Sequence, residues 1–188
     1  MSNAKLKNLR VAILVSDDFE QAELEEPRNA LIEAGAATSI VAPKAGTVQA
    51  MKHDEKTQKI PVDMTLDEAK PEDFDAVLLP GGALNADFLR MESKAQEFVR
   101  NFDRAKKPIA FICHAPWLLI SAGLVKGRTL SGYHTIQDDI RNAGGKWKDE
   151  EVVRDGNWVS SRQPTDIPAF NREMIILFSE RKANAKSV

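Results

Sequence analysis

The chain has 188 residues, about the length of one domain, and its 43% apolar content is that of a globular protein. Its 26 Lys and Arg nearly balance 28 Asp and Glu, and the formal charge of −2 removes the electrostatic case for nucleic acid or an anionic membrane as main partner. A single cysteine, Cys113, excludes an internal disulfide and a thiolate zinc cage, so any chemistry it performs is that of one thiol.

The first ten residues are polar and basic, without the apolar core of a signal peptide, and no apolar run approaches the ~20 residues that span a bilayer. These features predict a soluble cytoplasmic protein. Residues 10–16 (RVAILVS) form a β-rich apolar run suited to a strand buried on both faces. Residues 19–35 switch to helical spacing, with Leu24, Pro27, Leu31 and Ala34 on one stripe and Gly35 where a C-terminal cap belongs. Residues 37–43 (ATSIVAP) read as a second strand, which completes a β-α-β unit. The polar stretch 44–70 carries Val48 and Ile60-Pro61-Val62, the pattern of a small β excursion.

Residues 75–82 (DAVLLPGG) form a buried strand ended by a Pro-Gly-Gly turn, and residues 95–105 an amphipathic helix that turns Phe98, Val99 and Phe102 inward. Residues 108–112 (PIAFI) are a strand with Cys113 at its end, followed by a buried apolar helix over 115–122 that Gly123 closes. A hairpin over 152–159 turns at Asp155-Gly156-Asn157, and a last helix gathers Ile167, Phe170, Met174, Leu177 and Phe178 on one face. The tail from Lys182 is small and polar, as expected of a frayed end. Strands alternating with helices of these lengths imply one domain over 1–188, with a core over 9–181, flexible ends at 1–8 and 182–188, and an open, mostly parallel sheet covered on both faces.

In such α/β sheets the reactive crevice lies beyond the carboxyl ends of the strands, where Cys113 sits with a helix starting within two residues. N–H groups at a helix N-terminus favour an anion, which predicts a lowered thiol pKa and donors for an oxyanion. His114 is the adjacent general base. A single buried cysteine is also a common small hydrophobe, and the residues alone leave both readings open.

The segment Ala110-Phe111-Ile112-Cys113-His114-Ala115-Pro116-Trp117 resembles the Cys-His elbow of the PfpI intracellular-protease family. That family belongs to the class I glutamine-amidotransferase-like superfamily, which includes the parkinsonism-associated protein deglycase. Other ordered matches are Asp18-Phe19-Glu20 with Glu23-Leu24 and Pro27, Leu79-Pro80-Gly81-Gly82, and the stretch from Ile120 to Arg128. Asp138-Asp139, Asn142-Ala143-Gly144 and the stretch from Gly156 to Arg162 follow in family order, so the resemblance covers about residues 10–179.

The resemblance implies a flavodoxin-like three-layer sandwich with Cys113 as nucleophile and His114 as base. It maps the family's carboxyl beside the thiol onto Glu20, which would keep its proton to avoid repelling a thiolate. Glu20 among Asp17, Asp18 and Glu23 also reads as an ordinary acid of a first helical turn. The family's third member is an acid after the Pro-Gly-Gly loop, presented to the histidine by a neighbouring subunit, and Asp87 is its counterpart here. Gly81 and Gly82 belong to the binding loop. Ala115 replaces the glycine that usually follows the Cys-His pair, so its methyl is expected to crowd the oxyanion pocket. His134 is placed to line the pocket as in deglycase-like relatives, although a lone loop histidine is commonly a surface residue. His53 reads as solvent-exposed, and Trp117, Trp147 and Trp158 as packing.

The implied function is a stress-response hydrolase, peptidase-like or a deglycase acting on glyoxal and methylglyoxal adducts, in a homodimer or larger homo-oligomer with the site near the interface. Its substrates are small carbonyl compounds, glycated proteins or peptides, with neither cofactor nor metal. The alternative is a non-catalytic oxidative-stress sensor or chaperone whose Cys113 is oxidised to sulfenic or sulfinic acid.

Overall fold

β1 (Arg10–Leu14) shows why the chain folds as it does: its alternate residues feed two separate cores, Val11 and Ile13 on one face, Ala12 and Leu14 on the other. The structure, a computed structural model, describes residues 5–185, with side-chain surroundings through residue 180. After β1 come β2 (Phe19–Glu20), α1 (Gln21–Glu33) and β3 (Ala37–Ala42). The polar stretch then forms a hairpin of β4 (Thr47–Lys52) and β5 (Glu55–Pro61), followed by the short β6 (Met64–Thr65). β7 (Ala76–Leu79), α2 (Ala83–Met91), α3 (Ser93–Arg104), β8 (Ile109–Ile112) and α4 (Pro116–Ser121) follow. The remainder is β9 (Thr129–Leu130), α5 (Gln137–Asn142), β10 (Lys146–Trp147), β11 (Val153–Asp155), β12 (Trp158–Ser161) and α6 (Ile167–Ala185).

Seven strands form the central sheet in the order β11-β12-β8-β7-β1-β3-β6. Only β11 runs antiparallel, to β12, as expected of the hairpin. One face packs on α1 and α6 through Leu24, Leu31, Phe170 and Phe178. The other packs on α3 and α4 through Phe98, Phe102, Leu118 and Leu119. This is the expected three-layer α/β sandwich. β8, β7 and β1 lie side by side, so the segments leaving their carboxyl ends meet in one place.

Four features differ from the sequence expectation. The expected helix start at Phe19 is taken by β2, which pairs with β4, so the helix begins at Gln21. α2 was not foreseen, because its apolar residues divide between a buried side (Ala86, Leu89) and an exposed side (Leu84, Phe88, Met91). The expected flexible end 1–8 contains Leu6, which is wholly buried and whose N–H donates to the Ala34 carbonyl at 2.9 Å. The expected frayed tail from Lys182 is helical as far as Ala185, since α6 runs that far; residues 186–188 and 1–4 lie outside the described residues.

Trp158 is buried in the sheet, its ring edge-on to Phe111 at 5.4 Å and its indole N–H donating to Asp103 at 2.9 Å, as expected of a packing residue. Phe111 is fully buried on β8, two residues before Cys113. Phe111→Ala is expected to cost about 3–5 kcal/mol in urea unfolding, and a loss below about 1 kcal/mol would show that this strand is not a core element.

Candidate active site

Cys113 directly follows β8 and holds φ = +62°, a left-handed conformation that costs a non-glycine residue about 1–3 kcal/mol. The turn is held on both sides. The Cys113 N–H donates to the Ser161 carbonyl at 3.1 Å, and its carbonyl accepts the Tyr133 N–H at 2.8 Å. The side chain is thereby held at the carboxyl end of the strand, still within the core cluster and 7% exposed. His114 places Nδ1 3.1 Å from the Cys113 sulfur and Nε2 3.5 Å from the Thr135 hydroxyl. Its ring packs between Trp117 at 5.2 Å and Tyr133 at 4.8 Å, which fixes its orientation.

The carboxyl against the thiol is Glu23, not Glu20. Glu23 lies on the buried stripe of α1 with Leu24, Pro27 and Leu31 and has no exposed surface. Its side chain interacts with the Cys113 thiol and the Gly81 backbone, yet neither oxygen reaches a well-formed hydrogen bond among the described residues. Glu20 precedes the helix at the mouth of the site, where its Oε2 accepts the His53 N–H at 3.0 Å.

The Pro-Gly-Gly loop makes the close approach possible. A Cβ on Gly81 would collide with Glu23 Oε2 and fall 2.6 Å from Cys113 Cβ, so no side chain fits there. Gly82 holds φ = +92°, and a Cβ would lie 2.8 Å from the Asp18 carbonyl oxygen and the Glu20 nitrogen. Asn85, fully buried on α2, ties the loop to β1. Its Oδ1 accepts the Ser16 N–H at 2.7 Å, while its amide donates to the carbonyls of Gly81 at 2.9 Å and Pro80 at 3.2 Å.

Burial decides the protonation of this cluster. Loss of solvent, opposed by its contacts with Cys113 and Gly81 and reinforced by Glu20, pushes the Glu23 carboxyl up to about 8, so it is neutral at pH 7. Burial and then the Glu23 carboxyl push the Cys113 thiol up as well. This corrects the expected lowering: the N–H groups of Gly82 and His114 do favour the thiolate, but desolvation outweighs them. Burial, aided by His134, lowers the His114 pKa, so the imidazole is neutral and able to accept a proton.

A cavity of about 450 Å³ opens above Cys113 and His114, bordered by Glu20, Glu23, Gly82, His53 and Tyr133 among others. Ala115 does not crowd it. Its methyl is buried in the core below, and its N–H is engaged by the Ile112 carbonyl at 3.1 Å. His134 is exposed, its ring tilted against Tyr133 at 4.4 Å, and it is not among the residues that border the cavity. Asp87 is exposed on α2 in a neighbouring depression, and no hydrogen bond or ion pair among the described residues joins it to His114 of its own chain. His53 is exposed as expected, yet it borders the cavity, as does the turn at Gln163-Pro164-Thr165, neither of which carries a sequence signal for a site.

The sequence pattern of the DJ-1/PfpI family matches residues 9–177. The chain belongs to the DJ-1/PfpI family. Deglycase PfpI of Pyrococcus furiosus is 43% identical over 169 residues, which cover 90% of this chain and 99% of that protein. Protein/nucleic acid deglycase 2 of Escherichia coli is 40% identical over 169 residues, covering 89% and 96%. The crystal structure of DJ-1beta from Drosophila melanogaster matches with a TM-score of 0.81 at 24% identity, covering 95% of this chain and 97% of that one, a likeness of fold. The flavodoxin-like sandwich is thus the fold of this DJ-1/PfpI protein.

The buried carboxyl makes stability depend on pH. Glu23 titrates near 4.5 when solvated and near 8 when folded, so between these values the folded chain keeps a proton that the unfolded chain has lost. Stability therefore falls as pH rises through this window, by on the order of 5 kcal/mol from this group alone. Chemical unfolding of wild type and Glu23→Gln at pH 5 and pH 8 (the order of the window's two ends) is expected to show the wild type losing several kcal/mol that the variant keeps. Parallel pH dependence in the two proteins would contradict the assignment.

Proposed function

We propose that this DJ-1/PfpI protein is a cysteine-nucleophile hydrolase that acts as a deglycase on glyoxal and methylglyoxal adducts of amines and thiols. The observation that carries the reading is the Cys113 sulfur 3.1 Å from a neutral imidazole nitrogen, at the base of an open cavity. The deglycase names of the two relatives support the same chemistry.

In the first step an S–C bond forms between Cys113 and the carbinol carbon that carries the amine or thiol, and that carbon's C–N or C–S bond breaks. The S–H bond breaks, its proton passes to His114 Nδ1, and the electron pair of the broken bond leaves with the amine or thiolate. The N–H groups of Gly82 and His114, which already favour negative charge on the sulfur, are the nearest donors for charge developing there. Glu23, neutral, lies against the sulfur without the repulsion that a carboxylate would bring. The imidazolium returns its proton to the departing amine or thiolate, the carbinol hydrogen moves to the neighbouring carbonyl carbon, and water hydrolyses the resulting thioester to a hydroxy acid and free Cys113, so one water is consumed for each bond cleaved. A pure oxidation sensor needs no proton acceptor beside its thiol, and His114 supplies one.

The same reading includes a homo-oligomer in a cytoplasmic, stress-response setting. Leu84, Phe88 and Met91 leave an exposed apolar face on α2 around Asp87, at 62%, 44% and 80% exposure. We infer that this face meets a second copy and offers Asp87 to the histidine of that copy. No helix among the described residues is long and apolar enough to cross a membrane.

Release of free amine from methylglyoxal-treated N-acetyl-lysine tests the reaction. Cys113→Ala is expected to abolish it, and His114→Ala to lower kcat by about 10²–10⁴-fold. Turnover retained in Cys113→Ala would overturn the proposal.

A further inference from the structure

The imidazole of His114 meets the sulfur through one nitrogen, and the protonation of both groups decides which nitrogen carries the ring proton. Cys113 keeps its proton because burial pushes the thiol pKa up, and burial leaves His114 neutral. The thiol therefore donates to Nδ1, 3.1 Å away, and a neutral ring with a bare Nδ1 carries its proton on Nε2. The Thr135 hydroxyl oxygen, 3.5 Å from Nε2, accepts that N–H. A ring turned over about its χ2 axis would present a carbon to the sulfur, and the other tautomer would present an N–H. Either change removes the proton acceptor.

Trp117 bars that rotation from outside the cavity. It lies three residues after His114 on the same turn, its backbone N–H donating to the His114 carbonyl at 3.1 Å. Its indole meets the imidazole edge-on, with ring centres 5.2 Å apart and planes at 62°. The indole is itself held from two other helices. Its N–H donates to the Asp139 side chain on α5 at 2.8 Å, and the Arg90 guanidinium of α2 sits over its ring at 5.3 Å. Arg90 is tied down in turn, its Nε donating to the Ser121 hydroxyl at 3.1 Å. Trp117, Asp139 and Thr135 do not border the cavity, so none of them is placed to touch substrate.

We propose that Trp117, anchored by Asp139, is a positioning residue that holds His114 in the orientation and tautomer presenting a bare Nδ1 to the Cys113 thiol. In the step it serves, the S–H bond breaks, its proton forms the Nδ1–H bond, and the electron pair stays on sulfur for the attack. The gain is geometric: a base kept within hydrogen-bond distance of the proton it takes needs no rotation at the moment of reaction. This hold is complete within one chain, whereas the Asp87 carboxyl proposed for the same imidazole belongs to a second copy. The hold stands on these contacts alone, and its effect on turnover rests on the deglycase reading.

The test records the ring nitrogens of His114 by long-range proton–nitrogen NMR and the rate at which iodoacetamide alkylates Cys113 at neutral pH. The proteins are wild type, Trp117→Leu, Asp139→Ala, Asp139→Asn and Asp87→Asn. Wild type is expected to show a bare Nδ1 and a protonated Nε2. Trp117→Leu and Asp139→Ala are expected to move both resonances toward those of a free imidazole, and to slow alkylation about tenfold and about threefold. Asp139 is exposed, so its replacement loosens the indole without opening the core. Asp139→Asn keeps an oxygen that accepts the indole N–H and is expected to match wild type. Resonances and alkylation unchanged in both Trp117→Leu and Asp139→Ala would overturn the proposal. So would a loss in Asp139→Asn as large as in Asp139→Ala, because the charge and not the bond would then act. Resonances that move in Asp87→Asn but not in Trp117→Leu would overturn it as well, since an acid from the second copy would be the holder.

A parallel assay measures release of amine from methylglyoxal-treated N-acetyl-lysine. Trp117→Leu is expected to lower kcat about tenfold while KM stays within about twofold, the split of a group that acts on the base and not on the substrate. NMR and alkylation differences without wild-type turnover would leave the hold standing and sink the deglycase reading. Wild-type turnover that Trp117→Leu and Asp139→Ala leave unchanged would do the reverse.

Discussion

A carboxyl side chain with no exposed surface rests against the sulfur of the chain's one cysteine, and the backbone around it is built to permit that contact. Gly81 is bare because any Cβ would occupy the space of the Glu23 carboxyl and crowd Cys113. Cys113 accepts a left-handed backbone to carry its sulfur to the edge of the sheet. Asn85 spends three hydrogen bonds on holding the Pro-Gly-Gly loop to the end of β1. An ionised carboxylate in this position would be a buried charge without a partner, which proteins avoid by keeping the proton.

Neutrality at the base of the site follows from that contact and shapes the rest of it. Glu23 keeps its proton, burial keeps one on Cys113, and His114 is left without one. The site therefore starts from an acid, a thiol and a base in contact, with the proton transfer still to be made.

The central strands were legible because each is a short apolar run ended by a turn signal, as at Pro80-Gly81-Gly82, and each borders a helix with clear spacing. The Cys-His elbow was legible too, from a buried strand running into Cys113-His114. The resemblance maps the carboxyl onto Glu20, the acid of the loop motif, whereas the structure sets Glu23 against the thiol. Helical spacing held the correct signal, since Glu23, Pro27 and Leu31 recur every four residues on the buried face and Glu20 lies outside the helix. The thiol pKa was misjudged for a different reason: a helix N-terminus is visible in sequence, whereas the depth of burial that outweighs it is a tertiary property. α2 and the bordering residues His53 and Gln163 to Thr165 were not legible, because strand pairing and loop packing from distant parts of the chain bring them to the site.

The protonation of Glu23 is the claim on which the account turns, and an NMR titration of its side-chain carboxyl carbon, assigned by comparison with Glu23→Gln, reads it directly. The account predicts a protonated carboxyl at neutral pH with its inflection near 8. An inflection near the ordinary carboxyl value of 4.5 would mean that a charged group lies against the sulfur, and would contradict it.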